Sequence, residues 1–337
     1  MRDTRGPDRL VVARAPLRVS LGGGGTDLPS YADRFGGLVV SLAINRYVSV
    51  TVFPRSFTGE IRLTGEHTEQ AGNVDGVRSR FARAALIRAG IHRNVQLASC
   101  TDAPSGTGLG GSGAFTVALL HALRHRRSPD PGTLAEEASA IEMVDLARPV
   151  GKHDHYLAAY GGLRALHIGA DRSVRVEEMP LTAELTSYLR DRLLLFYTGL
   201  SRDAGQVLTL QAQQTVRGDR GTVTSLHAIR KVADWVRDAI LAGRIDDIGP
   251  LLDEHWQHKE RLSDRISTGR IGELYRTARS AGSDGGKLLG AGGGGFLLIS
   301  TARGRTAEVR AAMADQRVIE LPFDLDRTGS QMTGLPL

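Results

Sequence analysis

The sequence predicts two domains of mixed strands and helices, β-rich up to about residue 185 and mainly helical beyond it. Three observations carry this. The 337 residues exceed the ~150 of a typical single domain. Runs rich in β-branched residues concentrate before residue 180, whereas apolar spacing of helical period dominates 204–282. Three glycine clusters, Gly22–Gly25, Gly106–Gly113 and Gly290–Gly295, each abut an apolar run, where loops meet strands or helices.

The elements follow in chain order. Residues 10–21 (LVVARAPLRVSL) read as a strand broken at Pro16, whose nitrogen carries no donor. Residues 38–53 read as one long strand or two short ones. Residues 77–89 have helical spacing and stop at Gly90. Residues 94–100 alternate as a strand, and 112–125 read as a helix opening from the second glycine cluster. Thr133 and Glu136 form a capping box for a helix over 133–147, which Pro149 stops. A short helix over 154–160 ends at Gly161 and Gly162; strands follow near 163–168, 173–178 and 193–198. From 204 to 282 the pattern is helical, with breaks near 218–221, 243, 249–250 and 269. A strand at 296–300, a helix near 305–315 and a strand near 317–321 close the chain.

Composition excludes several classes. Glycine is in excess, 41 of 337 residues against a typical ~7%. No G-X-Y period exists, so the chain is not collagen-like. Apolar runs beside each cluster argue against a disordered glycine-rich chain. The single Cys100 excludes a disulfide scaffold and a cysteine-based zinc site. No run reaches the ~18 apolar residues of a membrane span, and MRDTRGPDRLVVARAPL lacks the core of a signal peptide, so a cytoplasmic protein without a membrane partner is expected. The net charge is +6, but aromatics are only 5% and basic residues lie scattered among acids, which argues against nucleic acid. A basic pocket for a phosphorylated small molecule stays open. Only four of 43 basic residues are lysines, and Lys152 and Lys287 lie in or beside motif segments, where a compact ammonium suits tasks a guanidinium does not.

The second glycine cluster lies in NVQLASCTDAPSGTGLGGSGAFTVALLHAL (94–123), which runs strand, loop, glycine-rich turn, helix. Five glycines in eight residues let the backbone approach an anion and aim its N–H groups at it, and the helix start adds positive potential. A serine hydroxyl in that turn can reach a phosphate oxygen or Mg²⁺. The Walker pattern is absent. Gly106, Gly108 and Gly111 satisfy G-x-G-x-x-G, but Asp130 sits in a proline-flanked loop before another helix, not at the end of a second strand, which disfavours a dinucleotide site.

Arg18 and Asp27 bracket the first glycine loop. Arg18 suits a phosphate, and Asp27 suits sugar hydroxyls or a turn cap. The four consecutive glycines ending at Gly295 exceed what a turn requires and favour close approach to a ligand or another loop. In GKHDHY (Gly151–Tyr156), Lys152 is expected to lower the pKa of Asp154 and orient its carboxylate, suiting a base or an electrostatic anchor. His153 and His155 lack a third ligand, so a transition-metal site is disfavoured. His255 and His258 read as a solvated helix face, and Glu142 as a Mg²⁺ ligand or a surface residue. Arg46, Arg55, Arg148 and Arg202 are anchors for a substrate phosphate or ordinary surface arginines.

Ala15–Tyr31 (APLRVSLGGGGTDLPSY), Asp102–Ala114 (DAPSGTGLGGSGA) and Lys287–Phe296 (KLLGAGGGGF), in this order over nearly the whole chain, resemble the motifs of the GHMP kinase superfamily of galactokinase, homoserine kinase, mevalonate kinase and phosphomevalonate kinase. The LGGGGTDLP variant, with GKHDHYLAAYGG (Gly151–Gly162) and FYTGLSRDA (Phe196–Ala204), is similar to the branch containing D-glycero-D-manno-heptose 7-phosphate kinases. The resemblance implies an α+β fold: an N-terminal ATP-binding domain of ribosomal-protein type over 1–185, a ferredoxin-like domain over 186–337, and the active site between them. It implies transfer of the ATP γ-phosphoryl group, with Mg²⁺, to a sugar or sugar-phosphate hydroxyl, in that branch the C1 hydroxyl of the heptose 7-phosphate. By position, Pro104, Gly106, Gly108, Leu109, Gly110, Gly111, Ser112 and Gly113 would wrap the nucleotide, and Ser112 and Glu142 would hold the metal. Asp154 would be the base, with Arg18 and Lys152 stabilising transferred charge. Gly24, Gly25, Thr26 and Asp27 would contact the sugar, and Gly293 and Gly294 would close over it and support the phosphate loop. A homodimer is compatible with the pattern.

Gly24 and Gly25 stand where galactokinases carry Glu-His, which disfavours galactose, and His153 and His155 depart from the heptose branch. Another sugar, a sugar and ATP sensor without turnover, and a nicotinamide oxidoreductase stay open as alternatives. Retention of Asp154, Glu142 and Ser112 favours an enzyme over a sensor.

Overall fold

Strands β1 (Leu10–Gly22) and β2 (Gly37–Pro54) form an antiparallel spine in a computed structural model that describes residues 9–54, 58–126, 129–200, 204–263, 266 and 269–335. β1 is not broken at Pro16. Its register against β2 shifts between Pro16 and Leu17, so the missing N–H falls at an irregularity within one continuous strand. Helix α1 (Pro29–Phe35), not foreseen from the pattern, lies between them with Pro29 in its first turn. β3 (Ile61–Thr64) and β4 (Glu69–Ala71) precede α2 (Arg80–Ala89), which the Ser79 side chain caps and Gly90 ends at φ 73°. β5 (Val95–Thr101) leads into α3 (Gly111–Leu123), buried over most of its surface as a core helix.

Helix α4 (Pro131–Ala140) starts earlier than expected. Its N-cap is Asp130, not Thr133: the Asp130 carboxylate accepts from the Thr133 N–H at 3.0 Å, and Pro131 supplies the preset φ of the first turn. The helix also ends earlier, passing into a π turn (Ile141–Asp145) that carries the fully buried Glu142. α5 (His153–Tyr160), β6 (Leu163–Ile168), β7 (Val174–Glu178), α6 (Ala183–Asp191), β8 (Leu193–Tyr197), α7 (Ala204–Val216), α8 (Arg220–Leu241) and α9 (Ile248–Glu260) follow. Gly249 and Pro250 lie inside the first turn of α9 and do not break it, because proline is tolerated there. The remainder is α10 (Gly269–Ala281), β9 (Ser283–Leu288), β10 (Phe296–Thr301), α11 (Thr306–Asp315), β11 (Ile319–Glu320) and β12 (Gln331–Leu335).

The fold is α+β with two sheets. The first runs β12-β1-β2-β5-β3-β4, with β6 on the first half of β2 and β7 beyond it; β3 and β5 are parallel and the other pairs antiparallel. The second runs β11-β8-β10-β9, all antiparallel. The expected division between 185 and 186 falls inside α6. The strand expected near 317–321 is the short β11, and the chain continues back to the first sheet, where β12 pairs with β1, Leu335 opposite Leu10. No helix among the described residues is long and apolar enough to cross a membrane.

Helix α9 lies directly on β9, and two bare positions permit it. A Cβ on Gly285 would lie 1.8 Å from the Gly249 carbonyl oxygen, and one on Gly249 would lie 2.2 Å from Asp284 Oδ1. This contact presents His255 and Lys259, one turn apart on α9, to the interior. Gly285→Ala is therefore expected to destabilise the protein by about 1–3 kcal/mol in urea unfolding, because backbone must shift to admit the methyl group. Unchanged stability would contradict the contact.

Candidate active site

A cavity of about 1290 Å³ opens between the two sheets, lined from both halves of the chain. Its first wall is the loop between β5 and α3. Gly106, Gly108 and Gly110 take φ of 74°, 85° and 76°, a region open to glycine at no steric cost, and the loop delivers α3 with its free N–H groups toward the cavity. Of the predicted nucleotide residues, Pro104, Gly106, Gly108, Leu109, Gly110, Gly111 and Ser112 line the cavity. Gly113 does not. A Cβ there would lie 2.7 Å from the Asp154 Cβ, so its bareness lets α5 approach α3.

The third glycine loop supports the first wall with different glycines from those expected. A Cβ on Gly290 would lie 2.4 Å from the Gly108 Cα, and one on Gly295 would lie 2.2 Å from the Thr107 carbonyl oxygen. Phe296 N–H donates to that same carbonyl at 3.1 Å. Gly293 and Gly294, predicted to close over the substrate, do not line the cavity. The Gly293 N–H donates to the Ile266 carbonyl at 2.9 Å, and Gly294 backs onto the Leu200 carbonyl.

Arg18 on β1 and Asp154 at the start of α5 meet at the cavity floor. Arg18 Nε donates to Asp154 Oδ1 at 2.8 Å, Nη2 lies 2.7 Å from the same oxygen, and Nη1 bonds the Gly108 carbonyl. Gly110 stays bare against both side chains, 3.1 Å from Arg18 Cγ and 3.2 Å from Asp154 Cγ at its would-be Cβ. Burial works to raise the Asp154 pKa, but the adjacent Arg18 charge prevails and holds it below the ordinary carboxylate value. Lys152 plays no part in this. Its ammonium turns away to Glu136 (2.7 Å) and the Arg172 carbonyl (2.8 Å) and does not line the cavity, since a lysine at that position reaches the α4 carboxylate.

Two histidines flank Asp154 and are buried. His153 Nδ1 lies 3.2 Å from Asp154 Oδ1 while Nε2 pairs with the Ser41 hydroxyl. Burial pushes the His153 pKa down to about 3, so the ring is neutral, and the carboxylate requires its proton on Nδ1. His155 Nε2 lies 3.1 Å from Glu142 Oε1, and Arg148 Nη1 holds the other Glu142 oxygen. Glu142 lines the cavity, buried and not surface-exposed. Arg148 lines it too; Arg46 does not and bonds the Pro322 carbonyl, while Arg55 and Arg202 lie outside the described residues.

On the far side, Gly24, Gly25 and Asp27 line the cavity. Burial, reinforced by the Asp154 charge, pushes the Asp27 pKa up. Gly151 allows Asp27 to reach it: a Cβ there would lie 2.0 Å from Asp27 Oδ2. Thr26 turns inward, its hydroxyl 2.8 Å from the Gly23 carbonyl, and pins the loop from behind. Ser20, Gln211, His255, Lys259 and Lys287 also line the cavity. His255 is thus not on a solvated face. The signal for it was available, because 252, 255, 256 and 259 form one helical stripe that includes Leu252 and Trp256.

Two family patterns match the chain. "GHMP kinases N terminal domain" covers residues 77–162 and "GHMP kinases C terminal" covers 236–317. The chain belongs to the GHMP kinases. This GHMP kinase is 27% identical over 305 residues to the D-glycero-alpha-D-manno-heptose 7-phosphate kinase of Campylobacter jejuni, an alignment covering 86% of this chain and 89% of that one. It is 24% identical to the galactokinase of Pyrococcus furiosus, over 86% and 88% of the two chains. Its fold matches a crystal structure described as a D-glycero-D-manno-heptose 1-phosphate kinase from Bacteroides thetaiotaomicron, with a TM-score of 0.79, 23% identity and coverage of 96% and 99%. The helix after the G-x-G-x-x-G segment leads to another helix and not to a parallel strand, which removes the dinucleotide alternative.

Gly290→Ala in this GHMP kinase is expected to lower kcat/KM for ATP by about tenfold to a hundredfold, because the new methyl group displaces the loop at Gly108. Steady-state kinetics checks it, and an unchanged value would contradict the loop contact. The Arg18–Asp154 pair also makes a pH prediction. A carboxylate with a lowered folded pKa stabilises the fold above its unfolded value, near 3.8, and loses that contribution as pH falls through the folded value. Arg18→Met is therefore expected to be less stable than wild type near neutral pH, with the gap narrowing as Asp154 protonates in acid. Urea melts across pH measure it.

Proposed function

We propose that the protein is a sugar kinase that moves the γ-phosphoryl group of ATP to the C1 hydroxyl of D-glycero-D-manno-heptose 7-phosphate. The observation that carries this reading is the Arg18 guanidinium, which bonds Asp154 and the Gly108 carbonyl at once and so ties a carboxylate to the edge of the glycine-rich loop. ATP as donor follows from membership of the GHMP kinases. The acceptor follows from the likeness to the Campylobacter heptose kinase. The cytoplasm, where ATP is at hand, is the compartment this reading implies.

Phosphoryl transfer asks the protein for position and charge. In this reading the N–H groups at the start of α3 and in its loop receive the nucleotide phosphates. Asp27, with its raised pKa, meets the sugar hydroxyls from the opposite wall. Asp154 orients the attacking hydroxyl and takes its proton as the new O–P bond forms and the bond from the γ-phosphorus to the leaving oxygen breaks, releasing ADP. A carboxylate with a lowered pKa is a weak base. It suffices because an anomeric hydroxyl is more acidic than an ordinary alcohol. Glu142 and Ser112 both line the cavity and offer the hard oxygen donors Mg²⁺ takes, but Arg148 and His155 engage both Glu142 oxygens, so these residues would hold the ion only if Arg148 released the carboxylate. An ion held there would neutralise charge on the nucleotide phosphates.

A coupled ADP-release assay over heptose 7-phosphate, hexoses, their phosphates and mevalonate tests the reading. The heptose 7-phosphate should turn over fastest, with phosphorus NMR showing a new anomeric phosphate beside the retained one. Equal or faster turnover of another acceptor would replace the substrate. Asp154→Asn is expected to lower kcat about a hundredfold or more while ATP binding stays near normal; full turnover in that variant would remove the base.

A further inference from the structure

Four polar side chains in the cavity wall have no part in the steps above. Ser20 follows Arg18 by two residues on β1, which puts both on one face of the strand roughly 7 Å apart. His255 and Lys259 share a face of α9, and Lys287 comes from β9. All four line the cavity, with relative exposures of 6%, 1%, 7% and 1%. Lys287 Nζ donates to the Ser20 hydroxyl at 3.0 Å and lies 3.4 Å from His255 Nε2, both neutral groups. Lys259 Nζ reaches the carbonyls of Leu288 (2.9 Å) and Gly290. Among the described residues His255 Nδ1 is buried without a hydrogen-bond partner.

Among the described residues no carboxylate pairs with Lys259, Lys287 or His255. Two acids at this site have opposite partners, Asp154 with Arg18 and Glu142 with Arg148, and Asp27 accepts from the backbone N–H groups of Gly25 and His153. Burial and the neighbouring positive charges push the Lys259 pKa down to about 7 and those of Lys287 and His255 well below their ordinary values. Amines and an imidazole buried together hold their charge poorly without a counter-charge, so such a cluster facing a cavity is suited to an anion, whose charge would favour their protonated forms. Ammonium groups beside a hydroxyl and an imidazole supply donors on several sides, as a phosphate needs.

We infer that Ser20, His255, Lys259 and Lys287 form a subsite for a phosphate dianion, centred on the Lys287 ammonium. Two groups share that chemistry: the phosphate carried by the acceptor sugar and the phosphoryl group in transfer. The first deepens the kinase reading above and rests on it; the subsite itself does not depend on the identity of the sugar.

The test is calorimetric titration of inorganic phosphate into the full chain, alone and saturated with Mg²⁺ and a non-hydrolysable ATP analogue. It is run for wild type, Lys287→Met and Ser20→Ala, each with a thermal melt. Wild type should bind phosphate, Lys287→Met should bind it about 10–100-fold more weakly, and Ser20→Ala should fall between. The melting temperature of Lys287→Met should equal or exceed that of wild type, because methionine fills the space without a buried charge. Phosphate binding that survives the nucleotide analogue assigns the subsite to the acceptor's own phosphate; binding that the analogue abolishes assigns it to the group in transfer. Equal affinity in wild type and Lys287→Met, or no binding by wild type, overturns the subsite. A lower melting temperature with unchanged phosphate affinity also overturns it and makes Lys287 a structural pin. Phosphate binding at Lys287 in a protein that does not turn over heptose 7-phosphate would retire the sugar and leave the subsite standing.

Discussion

The cavity exists in its present shape because two loops touch through bare backbone. Gly108 and Gly290 approach so closely that a single methyl group on either would meet main-chain atoms of the other loop. Main chain can pack this tightly only where no Cβ intervenes. The contact joins the wall formed by the β5–α3 loop, carried by the first sheet, to the loop between β9 and β10 of the second. Around it the same logic recurs. Gly110 and Gly113 leave room for Arg18 and Asp154, and Gly151 leaves room for Asp27.

Charge is distributed unevenly over this frame. On the side built by α5 and the π turn, each acid is matched: Asp154 by Arg18, and Glu142 by Arg148 with His155 beside it. On the side built by α9 and β9 the lysines meet only neutral groups and carbonyls. A site that is electrostatically complete on one side and short of negative charge on the other suits a reaction whose participants bring that charge. Natural sites often carry such local frustration at some expense of stability.

Much of the fold was legible because local pattern decides it. The β-branched run became β2 and the alternating run at 94–100 became β5, Gly90 ended α2, and the glycine-rich turn opened α3. Other features depended on competition that a window of sequence does not resolve. Thr133 and Asp130 both make good caps, and Asp130 prevailed because Pro131 is preset for the first turn. Lys152 stands closer in sequence to Asp154 than Arg18 does, yet Arg18 reaches it across the fold while Lys152 bonds Glu136. His255, by contrast, was legible, since it shares a helical stripe with Leu252 and Trp256 that α9 turns toward β9.

The sequence by itself determined where bare backbone and helix starts fall, including the glycine-rich turn that opens α3, because glycine freedom and helix ends are local properties. Only the tertiary structure decided which charges face one another. It paired Arg18 with Asp154 and Arg148 with Glu142, and it brought Lys287 to Ser20 with no carboxylate partner among the described residues. The physical reason is that Coulomb interaction and desolvation depend on distance and burial, and these are set by how β1, α5, α9 and β9 come together and not by neighbours along the chain.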